Sequence, residues 1–384
     1  MLIYEYKIEG NQQQYAAIEE AIRIVQFIRN KCLRKWMDGW GVDKNDLQGY
    51  CAVLAQEYSF AYLLNSQARQ VAADRAWFAI SRFYDNCKKK QPGKKGYPKF
   101  QHDNRSVEYK TTGWKLDDDG KHITFTDGCK IGRLRLIGSR DLATRPIPDI
   151  KRVRIIQRAD GYYCQFGITA ERHIQHQASG RQVGIDVGLK TYSTDSDGNT
   201  VENPRYLRKA EKRLKRLHRE LSHKQKKSKN RKKAQKRLGK AHLKVQRQRE
   251  DFARKVANAL VTSSDVIAYE DLQMKNMVKN RHLSKSISDA SWGKFLHWVR
   301  YYAAMHDIPC IAIPPKYTTQ DCSVCGTRVK KSLSVRTHIC PNCGAILDRD
   351  HNAAVNVRDA GLVIWRKQSK HRTVGHTETG SPTG

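Results

Sequence analysis

Three acidic residues in this sequence lie within or directly beside apolar segments, where a charged side chain is unusual. Asp186 lies inside VGIDVGL, Glu270 ends VIAYE, and Asp350 begins the helical pattern HNAAVNV. A carboxylate in an apolar strand is costly if it stays charged and unpaired, so each of these charges needs a partner. Metal ions are effective partners, and carboxylate oxygens are ligands that Mg²⁺ prefers.

The order of these acids along the chain predicts a shared site. An aspartate within a strand, a glutamate at a strand end and an aspartate on a helix can meet at one edge of a mixed sheet. Two Mg²⁺ ions held there about 4 Å apart stabilise both the attacking and the leaving oxygen of a phosphodiester. We therefore predict that Asp186, Glu270 and Asp350 bind two Mg²⁺ ions.

Each acid taken alone has a structural alternative. Asp186 could be a buried hydrogen-bond acceptor, and Glu270 could pair with a lysine. Asp350 could cap the last helix, with Asp348 as a turn residue. We favour Asp350 over Asp348 for the metal site because Asp350 directly adjoins the helical run. Whether Asp348 contributes to the metal site stays open.

Four of the ten cysteines form two CxxC pairs, with fourteen residues between the pairs: Cys322 and Cys325, then Cys340 and Cys343. This spacing is typical of a four-cysteine zinc ribbon, and the glycine after each pair allows the tight turn of a zinc knuckle. We predict one structural Zn²⁺, with a redox-active pair as the alternative. The other six cysteines are scattered singly, as expected for thiols in a reducing compartment.

The elements that must position these residues fall into two parts, and the first part is rich in strands. Residues 2–8 alternate as a strand, residues 11–88 have helical periodicity, and residues 106–170 contain five short strand patterns separated by turn signals. Strands at this spacing suggest a barrel. The sequence predicts a β-barrel domain of residues 1–10 and 89–180, with a helical insert at 11–88.

The second part alternates strands with helices. Apolar strands are predicted in RQVGIDVGLK, DVIAYEDL and PCIAIPP, and a last helix is predicted in DHNAAVNVRDAGL. We assign residues 181–317 and 347–366 to one domain and residues 318–346 to an inserted zinc ribbon. The tail, residues 367–384, is rich in Ser, Thr, His and Gly and is predicted to be disordered.

The charge of the chain predicts a polyanionic partner. The 384 residues include 72 Lys and Arg against 38 Asp and Glu, a net charge of +34. Residues 205–258 hold 23 Lys and Arg against 4 Asp and Glu, and leucines at helical spacing there predict a basic helical hairpin. A solvated helix face is the alternative, but contact with a nucleic-acid backbone is favoured because so few acids compensate.

Membrane and export signals are not found in the sequence. No run of eighteen apolar residues and no signal peptide is present, and the N-terminus MLIYEYKIEG has the pattern of a strand. We therefore expect a soluble, cytoplasmic, nucleoid-associated prokaryotic protein with no membrane partner.

The chain resembles the TnpB family, the transposon-encoded RNA-guided nucleases related to type V CRISPR effectors. The resemblance rests on GIDVGLK, AYEDL, KYTTQDCSVCG…HICPNCG and LDRDHNAAVNV, whose order and spacing match through residues 181–360. It implies an α+β multidomain protein with a wedge-like barrel, a helical recognition insert and a RuvC-like, RNase H-type nuclease domain. It also implies that Asp186, Glu270 and Asp350 are the catalytic, metal-binding triad, and Asp350 matches the motif position of the third acid.

The resemblance also implies the partners. They are a guide RNA from the right end of the transposon and a target DNA, which a monomer carrying one RNA cuts beside a short transposon-adjacent motif. No transposition chemistry is expected of this protein. The charge distribution agrees independently, because RNA-guided proteins leave sequence reading to base pairing and supply a basic channel that follows backbone shape.

Eight polar or basic residues are predicted to contact nucleic acid. Gln67 and Gln70 lie on the third predicted helix, and glutamine can read adenine through two hydrogen bonds. A polar surface face is the alternative for both glutamines. The other six residues come from the basic loop at 91–100 and from the hairpin: Lys94, Lys95, Lys224, Lys226, Lys227 and Arg231.

Two other functions share these features. A nuclease-inactive, RNA-guided repressor would occupy DNA without cutting it, and a transposase or transposase accessory protein would use a similar two-metal carboxylate site. All three acids are present, so nothing in the sequence favours the inactive repressor. A zinc ribbon placed just before the third acid fits a transposase poorly. The guide sequence, the adjacent motif and the cut positions stay open.

Overall fold

The protein was analysed as a computed structural model that describes residues 2–89, 93–170, 173–332 and 334–374. The chain divides into two compact units, Met1–Glu171 and Arg172–Gly384, and each has its own hydrophobic core. Both units combine helices with a β-sheet, so the α+β class predicted from the sequence is confirmed.

The first unit is built on a seven-stranded antiparallel sheet. Its strands are β1 Leu2–Glu9, β2 Ser106–Tyr109, β3 Trp114–Leu116, β4 His122–Phe125, β5 Gly132–Ile137, β6 Ile150–Arg158 and β7 Gly161–Ile168. Their order is β2-β6-β7-β1-β5-β4-β3, so the N-terminal strand lies at the centre. The short strand β3 is an addition to the five strands that the sequence predicted after the helical segment.

Backbone pairing among the described residues gives this sheet two end strands, β2 and β3. The strands face the core with one side: along β1, buried and exposed residues alternate from Leu2 to Glu9. This alternation is the pattern of a sheet with one buried face. Closure of the sheet into a barrel stays a prediction.

The segment between β1 and β2 is helical, as the sequence predicted. Capping boxes begin the first two helices, because Asn11 exchanges hydrogen bonds with Gln14, and Asp43 does so with Asp46. Fully buried side chains such as Ile28 hold the helices together, and each contributes roughly 1.5–3 kcal/mol. The helices are α1 Gln12–Asp38, α2 Lys44–Glu57, α3 Ser59–Tyr62 and α4 Ser66–Lys88.

The second unit contains a five-stranded mixed sheet. Its strands are β8 Gln182–Asp186, β9 Thr191–Asp195, β10 Thr200–Glu202, β11 Val266–Glu270 and β12 Cys310–Ile313, in the order β10-β9-β8-β11-β12. The three strands β8, β11 and β12 run parallel, while β9 and β10 are antiparallel to their neighbours. The parallel strands are the ones predicted from the apolar runs.

Helices cover both faces of this sheet. The helices are α5 Tyr206–Ser222, α6 Lys229–Thr262, α7 Met274–Met277, α8 Ser284–Ala290, α9 Trp292–Met305 and α10 Arg349–Val374. Val183 and Ile185 pack with α6 and α9, while Gly184 between them faces α10. Successive residues of a strand point to opposite faces, so α10 lies on the face opposite to α6 and α9.

Helix α10 passes so close to β8 that residue 184 has no room for a side chain. A Cβ atom at Gly184 would lie 2.2 Å from the carbonyl oxygen of Ala354 and 2.3 Å from the backbone nitrogen of Arg358. Backbone atoms of a helix cannot rotate away, so a methyl group there must push α10 from the sheet.

We expect Gly184→Ala to lower the free energy of unfolding by roughly 1–3 kcal/mol or more, which is typical of overpacking. Thermal melting checks this result. Gly293→Ala is the control, because its added Cβ would meet only an ordinary contact 3.9 Å away. Equal melting temperatures for the two variants would contradict the close packing of α10 on β8.

Two further features complete the second unit. Helices α5 and α6 form the predicted hairpin, with Leu214, Leu217 and Leu238 buried between them. The strands β13 Thr337–Ile339 and β14 Ile346–Asp348 form a small antiparallel sheet.

The C-terminal tail is shorter than the sequence predicted. Residues 367–374 were expected to be disordered, but they continue α10 to Val374, while residues 375–384 lie outside the described part. None of the described helices is long and apolar enough to span a membrane.

Candidate active site and zinc module

Asp186 and Glu270 are neighbours at the carboxyl ends of two parallel strands. The register of β8 and β11 pairs Ile185 with Tyr269, so Asp186 and Glu270 stand side by side one step further along. Adjacent strands lie about 4.8 Å apart, and residues in register point to the same face of a sheet. Both side chains are buried, each at 7% exposure.

Asp350 lies in the first turn of α10 and is also buried. Its Oδ2 atom would lie 3.6 Å from a Cβ built on Gly188, two residues after β8 ends, so it reaches the same end of the sheet. The capping role belongs to Asp348, whose Oδ1 accepts hydrogen bonds from the backbone N–H groups of Asp350 (2.8 Å) and His351 (3.2 Å). The alternative in which Asp350 caps the helix is therefore wrong.

The electrostatics of Asp186 show that the three carboxyl groups form one cluster. Burial raises the pKa of Asp186 well above its usual range, and the charges of Glu270 and Asp350 raise this pKa further. The nearby guanidinium of Arg349 acts in the opposite direction. Desolvation and like charges both disfavour an ionised carboxylate, so this site favours a bound cation.

Thr318 and two arginines also contact the acids. Burial raises the pKa of Glu270, while the hydroxyl of Thr318, which donates to Glu270 Oε1 at 2.5 Å, lowers it. Arg336 Nη1 lies 3.2 Å from Asp350 Oδ2, and Arg349 Nη2 lies 3.0 Å from Asp350 Oδ1. In the absence of metal, the positive charge near Asp350 therefore comes from arginine.

The raised pKa of Asp186 predicts a pH-dependent stability for the metal-free protein. A carboxyl group whose pKa is higher in the folded state stabilises the fold below its unfolded pKa, and this contribution is lost as the pH rises through the folded pKa. Ionisation of Asp186 in the metal-free fold therefore costs stability.

We expect Asp186→Asn to raise the melting temperature of the metal-free protein at pH 7, by about 2–4 °C for each kcal/mol of relieved repulsion. The same substitution should reduce the increase in melting temperature that Mg²⁺ produces in the wild type. A melting temperature at or below that of the wild type would contradict the assigned repulsion.

The four predicted zinc ligands come together in the structure. Cys322 Sγ lies 3.7 Å from Cys343 Sγ, and Cys325 Sγ lies 3.5 Å from Cys340 Sγ. All four sulfur atoms lie within 4.8 Å of one another. Tetrahedral zinc with Zn–S bonds of about 2.3 Å separates its sulfur ligands by about 3.8 Å, so the donor set fits one closed Zn²⁺ site.

The two halves of this module are matching knuckles. The N–H of Gly326 donates to the carbonyl of Cys322, and the N–H of Gly344 donates to the carbonyl of Cys340. Both glycines have positive φ values, of 75° and 71°, which side chains other than glycine rarely adopt. The glycine after each CxxC pair therefore has the turn role that the sequence predicted.

The motif HNAAVN at the start of α10 anchors the beginning of the zinc module. Asn352 accepts a hydrogen bond from Ser323 N–H and donates to the carbonyl of Asp321, while Asn356 donates to the carbonyls of Thr318 and Asp321. These two asparagines are four residues apart, so they share one face of the helix. They hold the segment that carries Thr318 beside Glu270.

Sequence reasoning missed several of these partners: Thr318, Arg336, Arg349, Asn352 and Asn356. Only the asparagines carried a usable signal, because their i,i+4 spacing lies inside an otherwise apolar helical run. Thr318 and Arg336 lie far from their acidic partners in the sequence, and neither is part of a periodic pattern.

Two of the predicted nucleic-acid contacts already have partners within the chain. Gln67 Oε1 accepts hydrogen bonds from the backbone N–H groups of Thr111 and Thr112. Arg231 Nη1 donates to the carbonyls of Leu221 and Lys224, at the C-terminal end of α5. These contacts favour a structural role for Gln67 and Arg231, in line with the alternative of a polar surface face for Gln67.

The other predicted contact residues differ in their exposure. Gln70 is half-buried on α4, and Lys95 is half-buried and uses its carbonyl to accept a hydrogen bond from Asn86. The remaining lysines are exposed: Lys94, Lys224, Lys226 and Lys227. Nucleic-acid contact by these residues stays a prediction, and Gln91 and Pro92 of the predicted loop lie outside the described residues.

The chain is an α+β protein with acids at the ends of parallel strands and a four-cysteine module, and known protein families share its sequence in these regions. Residues 165–281 match the OrfB_IS605 family model, described as a probable transposase, and residues 292–357 match the Cas12f1-like TNB domain. The first match contains Asp186 and Glu270, and the second contains Asp350 and all four cysteines of the CxxC pairs.

Relatives and a solved structure extend this similarity over most of the chain. A protein of Streptomyces pristinaespiralis, provisionally named an RNA-guided DNA endonuclease, is 27% identical over 94% of this chain and 89% of its own length. The similarly named InsQ of Escherichia coli K12 is 28% identical over 74% of this chain and 73% of its own.

A TnpB-like protein of Acanthamoeba polyphaga mimivirus, L79, is 30% identical over 37% of this chain and 28% of its own. The solved mini-RNA-guided endonuclease CRISPR-Cas_phi3 shares the fold over 94% of this chain and 92% of its own, with a TM-score of 0.55 and 8% identity. The resemblance to the TnpB family is thereby confirmed.

Proposed function

We propose that this chain is a transposon-encoded, RNA-guided DNA endonuclease that cuts target DNA beside a short adjacent motif. The observation that carries the proposal is the cluster of three buried carboxyl groups from β8, β11 and α10, in which two of the acids raise the pKa of the third. The names of the full-length relatives support the same function.

The proposed cofactors are two Mg²⁺ ions held by Asp186, Glu270 and Asp350. When bound there, such ions would polarise phosphodiester oxygens and help to activate a water molecule for attack. The three acids supply carboxylate oxygens, the ligands that Mg²⁺ prefers, and all three are buried at the same end of the sheet.

The chain's own residues orient and neutralise this cluster. Thr318 fixes one oxygen of Glu270 by its hydrogen bond, and Asp348 caps α10, so the carboxyl group of Asp350 is not used for capping. Arg336 and Arg349 pair with Asp350. These arginines balance negative charge before a metal ion and a phosphodiester arrive, and they have the correct charge to contact a phosphate.

The proposed partners are one guide RNA from the transposon right end and one target DNA bound by a single chain. The basic hairpin α5–α6 would contact backbone phosphates, because exposed lysines surround its buried leucine seam. We assign the RuvC-like nuclease domain to residues 181–317 and 347–366, the wedge-like barrel to 1–10 and 89–180, and the recognition insert to 11–88.

A transposase is the second candidate, because the OrfB_IS605 model that matches residues 165–281 is described as one. The two candidates differ in their need for RNA. A transposase joins transposon ends without RNA, whereas a guided nuclease cuts only where its RNA pairs. The third candidate, an inactive repressor, would leave a bound plasmid intact in the presence of Mg²⁺.

Sequencing of the RNA that copurifies with the protein tests this proposal. Expression together with the flanking transposon sequence should yield one enriched RNA that maps to the right end of the element. An RNA population without such enrichment, together with joined transposon ends made by the protein alone, would establish the transposase instead.

A further inference from the structure

A buried glutamate in the first unit is surrounded by arginines. Glu108 lies on β2 with 2% of its side chain exposed, and three guanidinium groups contact its carboxylate. Arg152 Nη1 lies 3.1 Å from Oε1, Arg154 Nε lies 2.8 Å from Oε2, and Arg75 Nη2 lies 3.2 Å from Oε2. We call these four residues the Glu108 cluster.

The sheet register builds this cluster. Glu108 pairs directly with Arg154 across β2 and β6, and Arg152 stands two residues away on the same face of β6. Their neighbours Val107, Val153 and Ile155 point to the opposite face and are fully buried in the core. Helix α4 supplies Arg75, which also donates to the carbonyl of Ser106. The backbone therefore fixes the positions of these arginines.

The positive charge of this cluster is well above what Glu108 requires. Arg75 and its neighbour Arg29 both have lowered pKa values, caused mainly by burial, with repulsion from nearby arginines as a further cause. Arg75 lowers the pKa of Arg29, so Arg29 belongs to the same positive region. Three guanidinium groups thus contact one carboxylate, and a fourth interacts with Arg75. A buried ion pair needs only one positive charge for each negative one.

The exposure of the side chains indicates where the excess charge points. Glu108 is covered, while 50% of the Arg152 side chain and 42% of the Arg154 side chain are exposed. A guanidinium has five N–H donors. Among the described residues, Arg152 uses one donor and Arg154 two, all on Glu108. Both arginines are therefore held in place by Glu108 with donors left for an anion outside.

We propose that Arg152 and Arg154 bind backbone phosphates of a nucleic acid, with Glu108 as the positioning residue that orders both guanidinium groups. Arginine in a fixed orientation is well suited to bind phosphate through two parallel hydrogen bonds. This inference rests on the proposed function, because it takes a nucleic acid as the ligand. The ligand chemistry is the phosphodiester, which either the RNA or the DNA could supply.

The same sheet provides a matched pair of arginines. Arg133 and Arg135 lie on β5 and are somewhat more exposed than Arg152 and Arg154. Each is paired with an acid of its own, Arg133 with Asp117 and Arg135 with Glu9. Because each of these two arginines is neutralised by its own acid, their double variant serves as the control. It measures how far the loss of any two exposed arginines changes binding.

Salt-dependent binding tests the proposal. Affinities for polyuridylate RNA, and for a DNA duplex bound by the RNA-loaded protein, are measured over a series of NaCl concentrations. Each lost phosphate contact lowers the slope of log K against log salt by about 0.7 for a single strand and about 0.9 for a duplex.

We expect Arg152→Gln/Arg154→Gln to lower the salt slope in one of the two binding measurements, the arms of the experiment, by about 1.4 for the RNA or about 1.8 for the duplex. The arm in which the slope changes shows whether the two arginines contact RNA or DNA. Arg133→Gln/Arg135→Gln should keep the wild-type slope in both arms. Equal slopes for the two double variants would overturn the proposal, whereas a wild type without salt-dependent binding in either arm would overturn the proposed function itself.

A second double variant guards against a folding defect. Arg152→Lys/Arg154→Lys keeps both charges, so its salt slope should stay at the wild-type value while its affinity falls through the loss of paired hydrogen bonds. Melting temperatures are measured in parallel. If the glutamine variant melts earlier but keeps the wild-type salt slope in both measurements, the cluster only stabilises the fold and the proposal fails.

Discussion

Replacing Asp186 with alanine is expected to slow DNA cleavage by at least about 10³-fold, because loss of a metal ligand removes several kcal/mol of transition-state stabilisation. Burial and the charges of Glu270 and Asp350 all raise the pKa of Asp186. Binding of the guide RNA should stay within a few-fold of the wild type. Cleavage of a labelled target at fixed RNA and Mg²⁺ concentrations measures the effect.

The control for this experiment is Asp348→Asn. Asp348 bonds to two backbone N–H groups at the start of α10, and asparagine caps helices as well as aspartate does. We therefore expect this variant to cut DNA at close to the wild-type rate. A fully active Asp186→Ala protein would show that the catalytic assignment is wrong, and an inactive Asp348→Asn protein would add Asp348 to the metal site.

Loss of zinc is expected to have the second large effect. Structural zinc in small modules contributes apparent binding free energies of about 10–16 kcal/mol at pH 7, and such modules unfold without the metal. We expect Cys340→Ser to lose the bound zinc and the fold of residues 318–346. Metal analysis of the purified protein measures the zinc content directly.

Loss of zinc should also disturb the contacts that the zinc module makes with the three acids. Thr318, which bonds to Glu270, and Arg336, which pairs with Asp350, both lie in the zinc module. Cleavage by Cys340→Ser should therefore fall as well. Cys87→Ser, at an exposed cysteine of the other unit, should keep both zinc and activity. A zinc-free Cys340→Ser protein with full activity would contradict the coupling between the module and the acids.

The three acids could be predicted because each conflicts with its local pattern. Asp186 and Glu270 lie in apolar strands, and a charge in such a place needs a compensating group. The sequence favoured Asp350 over Asp348 for the site, and the capping hydrogen bonds of Asp348 agree with that preference. The two CxxC pairs were predictable because zinc demands a fixed ligand spacing.

Interactions between distant segments could not be predicted in the same way. Thr318 lies 48 residues from Glu270, and nothing in its neighbourhood marks it as a partner. The sequence shows where positive charge lies but not what each side chain contacts, so Arg231 was interpreted as a nucleic-acid contact although it bonds to carbonyls of its own hairpin. Strand β3 is three residues long, too short for a periodic signal.

The most direct test of the central claim is programmed cleavage of a plasmid. The protein is loaded with a guide RNA that matches a site on one plasmid, and a second plasmid differs only at that site. With Mg²⁺ we predict cutting of the matched plasmid alone, and no cutting by the Asp186→Ala protein. Equal cutting of both plasmids, or cutting of the matched plasmid by the Asp186→Ala protein, would contradict RNA-guided cleavage at these three acids.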